Sequence, residues 1–186
     1  VSYFTATSSY ELLKKVGLRI EKIEVVDYHG GSLRVYARKG SPIINDDLEK
    51  LMSAEKSMGA FKTKTYENYM NDILLQRNRF MKKVYDIKLK GGNIIAVGAA
   101  AKGNTFLNFY NLDYSLLDYV TDSSSFKQGK HTPLTRIPIV GDEIFAEYQE
   151  VYALILSWNI STRLKEILKK INPNIIFLGV QDNDNG

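Results

Sequence analysis

The sequence predicts an α/β protein built on a doubly wound, mostly parallel sheet, and three observations carry that expectation. Apolar runs of strand length recur at 93–97, 117–121, 137–140, 151–156 and 175–179. Between them lie stretches with helical spacing, most clearly Leu164, Ile167, Leu168 and Ile171 after Ser161. The first run leads directly into a glycine-bearing turn, Gly98 to Gly103, that opens the next helix. Strands alternating with helices need crossover connections, which yield parallel sheets covered on both faces.

Taken from the start of the chain, residues 1–39 read as a helix followed by a β-hairpin. Ser8 and Glu11 stand at capping-box spacing before Leu12, Leu13 and Val16, and Gly17 is a stop signal. Two β-rich runs, 19–28 and 32–38, flank His29-Gly30-Gly31, the second alternating Leu33, Val35, Ala37 against Arg34, Tyr36, Arg38. A two-stranded sheet is marginal in water, so this part is expected to need partners from beyond this chain. Residues 40–90 read as a helical connector broken near Gly59, with a start at Asp46-Asp47. Its recurring Tyr66, Tyr69, Met70, Ile73, Leu74, Phe80, Met81 and Val84 are expected to pack into a core. Residues 91–186 form the α/β domain. Its helices are expected at 102–110, after Asp142 as a cap, and after Ser161, with a frayed polar tail from Gln181.

Composition narrows the functional classes. The 186 residues include 44% hydrophobic and 25% charged side chains, which suits a soluble globular protein with a core. No apolar run approaches the roughly 20 residues of a membrane span. The absence of cysteine excludes disulfides, cysteine zinc sites and a cysteine nucleophile within the chain, and a cytoplasmic location is expected. Net charge is only +4. The basic run Arg77, Arg79, Lys82, Lys83, Lys88, Lys90 falls on a helical pattern and reads as a solvated face, not a nucleic-acid surface. His29 and His131 stand apart from any carboxylate cluster, so no metal site is expected.

The chemistry concentrates where the strands end, because ligands of open α/β sheets bind outside the carboxyl ends of the strands. Gly98, Ala100 and Gly103 occupy the three places of G-x-G-x-x-G, and Asp122 follows 19 residues after Gly103 at the end of the next strand. On spacing this resembles a dinucleotide site with Asp122 on a ribose. Ala100, however, adds a Cβ where a diphosphate approaches, and Lys102 adds a cation at the helix start. A second cluster, Asp122 through Pro133, carries Lys127, Gln128, Gly129 and Lys130, and reads either as an anion-binding loop or as a solvated one. Trp158-Asn159 follows another strand, as packing or as an aromatic platform beside the same crevice. No nucleophile elbow, Walker loop or zincin motif is present.

Taken together, "VSYFTATSSYELLKKVGL", "HGGSLRVYAR", "GAAAKGNTFLN", "DYVTDSSSFKQGKHTPLTRIPI" and "LSWN", in this order, resemble the C-methyltransferases that act on nucleotide-activated deoxysugars. The resemblance runs from Val1 to about Val180. It implies three parts in the parent protein: a zinc-binding N-terminal domain, a domain that uses S-adenosylmethionine, and a Rossmann-like C-terminal domain that helps hold the nucleotide sugar. Residues 1–39 would then be the last helix and hairpin of the methyltransferase domain, and 91–186 the C-terminal domain. The catalytic base, the cofactor loop and the zinc ligands are expected upstream of Val1. This stretch alone is therefore expected to bind neither S-adenosylmethionine nor zinc, to lack a catalytic residue and to be inactive.

The resemblance further implies that Ala99, Ala101, Lys102, Gly103, Asn104, Lys127, Gln128, Gly129, Trp158 and Asn159 face a nucleoside-diphosphate sugar, with a dTDP-sugar the first choice. Asp122 joins them by spacing. Lys102 and Asn104 are the expected diphosphate contacts, and Tyr3 and His29 would border the methyl-transfer cleft. The family usually has Pro-Gly where this chain has Pro133-Leu134, so the loop after Lys130 is expected to take another path. Two other readings stand beside this one: an NAD(P)-binding oxidoreductase domain, and a non-catalytic scaffold. The exposed hairpin edge is also expected to permit dimerisation.

Overall fold

The computed structural model describes residues 3–28 and 30–180, and its contacts divide the chain into two units, Val1–Asn71 and Asp72–Gly186. In the first unit, α1 (Ala6–Lys15) starts one turn earlier than the Ser8–Glu11 spacing implied. Thr5 is extended and is the N-cap: its side chain accepts from the Ser8 N–H at 3.1 Å, and the Thr5 N–H donates to Ser8 Oγ at 2.8 Å. Ser8 thus closes the capping box from inside the helix, and Glu11 is left exposed. The α1 donors find a second acceptor in Glu55, whose carboxylate takes the N–H groups of Ala6 and Thr7. Glu55 belongs to α2 (Asp46–Ser57), capped by Asn45 accepting from the Leu48 N–H at 3.0 Å.

The hairpin pairs β1 (Leu18–Val26) antiparallel with β2 (Ser32–Lys39). A register shift between Ile20 and Lys22 inserts one residue, and this brings Ile20 and Ile23 onto the same face although they are three apart. Both are buried with Ala6 and Leu48 in one cluster. The hairpin therefore finds partners within the chain: α1 covers it, and so does α2, a helix from the stretch expected to be a connector. The opposite face is polar, with Lys22 2.6 Å from Glu24 and Tyr36 donating to Glu24 at 3.1 Å.

The second unit carries a five-stranded parallel sheet in the order β5-β4-β3-β6-β7, from β3 (Ile94–Val97), β4 (Tyr119–Thr121), β5 (Ile139–Val140), β6 (Val151–Ile155) and β7 (Ile175–Phe177). One face is covered by α4 (Ala101–Tyr110) and the later part of α3 (Thr63–Leu89), through Phe80, Met81, Val84, Leu107 and Tyr110. Phe106 stacks on Tyr110 with ring centroids 4.1 Å apart, and Phe80 meets Tyr110 edge-on at 5.4 Å. The other face is covered by α5 (Ser161–Ile171) and a 3-10 helix, Asp142–Glu147, through Leu168 and Phe145.

The structure corrects two helical expectations. The apolar stripe of α3 is not core along its length: Phe80, Met81 and Val84 are buried, whereas Tyr66, Tyr69, Met70 and Leu74 are exposed. A 27-residue helix is about 40 Å long at 1.5 Å per residue. The strands it covers run two to five residues, so only part of α3 can lie over them. Asp142, expected as a helix cap, makes no capping bond; Gly141 is the N-cap and the helix is a short 3-10 piece.

In the loop after Lys130, Leu134 has φ +66°, the left-handed conformation that glycine adopts freely. The turn is held from below by Thr132, whose Oγ1 accepts from the Ile137 N–H at 2.9 Å and lies 2.6 Å from Thr135 Oγ1. Leu134 itself is 84% exposed and packs on little. Leu134→Gly is accordingly expected to raise the unfolding free energy by roughly 0.5–1 kcal/mol in urea denaturation, while Leu134→Ala leaves it within about 0.5 kcal/mol.

Candidate functional site

The strand order reverses between β3 and β6, and the loops after β3, β4 and β6 meet at that switch point. The loop after β3 is shaped by two glycines. Gly98 has φ +98° and donates its N–H to Thr121 O at 2.7 Å, and a Cβ there would overlap the Ser157 side chain after β6. Gly103, in the first turn of α4, lies so close to β6 that a Cβ would stand 2.9 Å from Leu156 Cβ and 3.1 Å from Gly98 O. These are the turn-forming and helix-packing roles of a Gly-rich βα loop. The middle position differs: Ala100 is extended at φ −93° and ψ 158°, where alanine is unstrained.

Asp122 ties this loop to the next one. Its Oδ2 accepts from the Ala99 N–H at 2.9 Å and from Lys127 Nζ at 2.8 Å, and its Oδ1 accepts from the Ser124 N–H at 2.9 Å. Gln128 closes the loop by donating to Asp122 O at 2.9 Å, and Gly129, at φ +78°, donates to Ile139 O at 2.9 Å. Partial burial pushes the Asp122 carboxyl up, but the Lys127 hydrogen bond, the Ser124 and Ala99 N–H bonds and the lysine charge outweigh it, so its pKa lies below the ordinary value.

The expected site residues thus fall into groups. Ala99, Asp122, Lys127 and Gln128 form one hydrogen-bonded lattice. Lys102 stands 6.0 Å from the centre of the Trp158 ring, and both are exposed. Ala101, Lys102 and Gly103 begin α4, so their N–H groups have no intrahelical acceptor, and Ala100 provides no side-chain cap. Asn104 Oδ1 is buried without a hydrogen-bond partner, and Asn159 is exposed in a 3-10 turn, Trp158–Ile160. Tyr3 belongs to the first unit and is 93% exposed, while His29 lies outside the described residues.

Sequence reasoning missed the side chains on the other side of this crevice. A cavity of about 320 Å³ opens beside Gly98 and Ser157 and is lined by Thr121, Asp142, Arg163 and aliphatic residues of α5. Thr121 was legible as a polar residue in an otherwise apolar strand. Arg163 carried no local signal, since a solvated α5 face has the same pattern. Among the described residues no group of three or more His, Asp or Glu could hold a metal ion. No described helix is long and apolar enough to cross a membrane.

A five-stranded parallel sheet with a crevice at its switch point defines a Rossmann-like α/β domain. The chain belongs to the C-methyltransferase C-terminal domain family, whose model matches residues 27–175. It is also 27% identical over 175 residues to the C-methyltransferase NovU of Streptomyces niveus, an alignment covering 93% of this chain and 42% of NovU. The chain therefore spans less than half the length of that relative.

The depressed pKa of Asp122 sets the sign of its pH effect. Its contribution is fully present above the unfolded carboxyl value of about 3.9 and is lost as pH falls through the lower folded value. Asp122→Asn should cost on the order of 2 kcal/mol at pH 7 and flatten the acid limb of a stability–pH profile measured by urea denaturation. Gly98→Ala should be worse at every pH, by more than about 2 kcal/mol, because the added methyl meets Ser157 and the backbone is left-handed.

Proposed function

We propose that this chain is the substrate-holding portion of a C-methyltransferase that acts on a nucleotide-activated keto-deoxysugar. The observation that supports the reading is the first turn of α4: uncapped N–H groups with Lys102 beside them, at the switch point of a C-methyltransferase family domain. Such a turn suits the diphosphate of a nucleoside-diphosphate sugar, with a dTDP-sugar the first choice. Lys127 is less suited, because its ammonium is already paired with Asp122.

In the reaction, loss of the proton α to the sugar ketone leaves an enolate carbon, and that carbon attacks an electrophilic methyl in line. S-adenosylmethionine, when bound by the parent protein, would supply that methyl, its sulfonium C–S bond breaking and a neutral thioether leaving. The base and the cofactor site belong, in this proposal, to the part of the protein outside this chain. The role left to these residues is positioning. Anchoring the diphosphate fixes the distance from the crevice to the sugar ring, so that the α-carbon meets the base and the methyl in one geometry. The dinucleotide alternative places Asp122 on a ribose, yet that carboxylate is already engaged by three donors.

Calorimetry with dTDP and with NAD tests the proposal. dTDP is expected to bind, and Lys102→Ala to weaken it by about 5- to 10-fold with an unchanged melting midpoint, since Lys102 is exposed. Binding of NAD without dTDP would overturn the nucleotide-sugar reading and favour the oxidoreductase one.

A further inference from the structure

The cavity on the α5 side of the crevice has no role in holding a diphosphate at α4, yet it is built like a ligand site. Its floor holds two orphaned polar groups. Thr121 ends β4, where side chains alternate between faces: Val120 points into the cluster under α3 and α4, so Thr121 faces the α5 side. It is 0% exposed, lines the cavity, and its Oγ1 has no hydrogen-bond partner. Asp142 follows β5, whose Val140 is in register with Thr121, so its carboxylate stands two residues beyond the neighbouring strand. Asp142 lines the same cavity, and its Oδ1 is likewise buried without a partner. Buried polar atoms of native proteins are nearly always paired, and two orphans on one cavity floor call for a shared partner.

The walls say what kind of partner. Ile160, Leu164 and Ile167 offer an aliphatic side, and Arg163 adds a guanidinium. An aliphatic wall accepts the face of a flat ring, and a carboxylate on the floor requires a hydrogen-bond donor from that ring's edge. Thr121 can donate to, or accept from, the group beside it. A volume of about 320 Å³ lies at the lower end of small-molecule sites and suits one ring with an attached pentose better than a dinucleotide.

We infer that this cavity seats the heterocyclic base of the bound nucleotide, with Asp142 accepting a ring N–H and Thr121 Oγ1 bonded to the adjoining ring carbonyl. Asp142 and Thr121 are then the residues that select the base, and they do so from the opposite side of the crevice to Lys102. The inference rests on the nucleotide-sugar reading above.

The test is calorimetry on the full chain with dTDP and with its N3-methyl analogue, in which the ring N–H is replaced by a methyl group. Binding to the unaltered protein is expected to weaken at least about 10-fold on N3-methylation. Asp142→Ala should weaken dTDP by a similar factor and shrink the penalty for N3-methylation, a coupling that a merely structural role would not produce. Thr121→Val, nearly the same in shape, should weaken dTDP several-fold with the melting midpoint unchanged or raised. If dTDP binds and Lys102→Ala weakens it, but N3-methylation and both cavity variants change affinity less than 2-fold, the base lies elsewhere and only this inference falls. If dTDP does not bind at all, the nucleotide-sugar reading falls and takes the inference with it. The N3-methyl comparison needs no substitution, so a variant that fails to fold leaves the result decisive.

Discussion

The Asp122 carboxylate is the interaction on which the crevice depends. One side chain, only 12% exposed, accepts from the backbone of the β3–α4 loop, from the backbone of the loop after β4 and from the Lys127 ammonium. Charge-assisted bonds of this kind are stronger than neutral ones, and three converging on one carboxylate hold two loops at a fixed distance. Everything at the switch point inherits that distance: the height of the α4 N-terminus above the sheet, the position of Lys102, and the width of the cavity next to Thr121. Lys127 looks like an anion ligand in sequence, yet its charge is engaged in holding the loops.

A second constraint is the closeness of backbone to backbone around β6. A Cβ on Gly98 would overlap Ser157, and one on Gly103 would crowd Leu156 and Gly98 O, so the loop, the helix and the strand meet with no room for side chains there. The middle alanine sits where no such contact forces glycine. This resolves the apparent defect in the G-x-G-x-x-G pattern: the positions that build the βα turn keep their glycines, and the one whose glycine serves a dinucleotide's diphosphate does not.

The first unit solves a different problem. A hairpin exposes two faces, and this one hides a single face by a one-residue bulge that turns Ile20 and Ile23 the same way, toward Ala6 and Leu48. The carboxylate of Glu55 then caps α1 from α2, so the two helices that cover the hairpin are joined by charge-assisted bonds as well as apolar contact. Its pKa is lowered: although partial burial raises it, the Thr7 hydroxyl and N–H and the Ala6 N–H stabilise the charged form and outweigh that effect.

The α/β class and the helix starts near Asp46 and Ser161 were readable in the sequence, because they follow from local periodicity and, at Asp46, from the acidic first turn, which neighbouring residues determine. So was the location of the crevice loop, since glycine at a βα turn is required by the backbone itself. Family membership was readable too, through the order of five motifs that no single one would carry. Tertiary structure alone decided the rest. That Asp122 is spent on Ala99, Ser124 and Lys127 depends on loops 23 residues apart in sequence meeting in space. That Thr121 and Asp142 share a cavity depends on the pairing of β4 with β5. That Tyr66 and Tyr69 stay exposed while Phe80 is buried depends on where a long helix meets short strands, and period alone does not encode length of contact. Local chemistry determines which element forms. Which groups remain unpaired at a site is settled only when distant elements have taken all the partners they can reach.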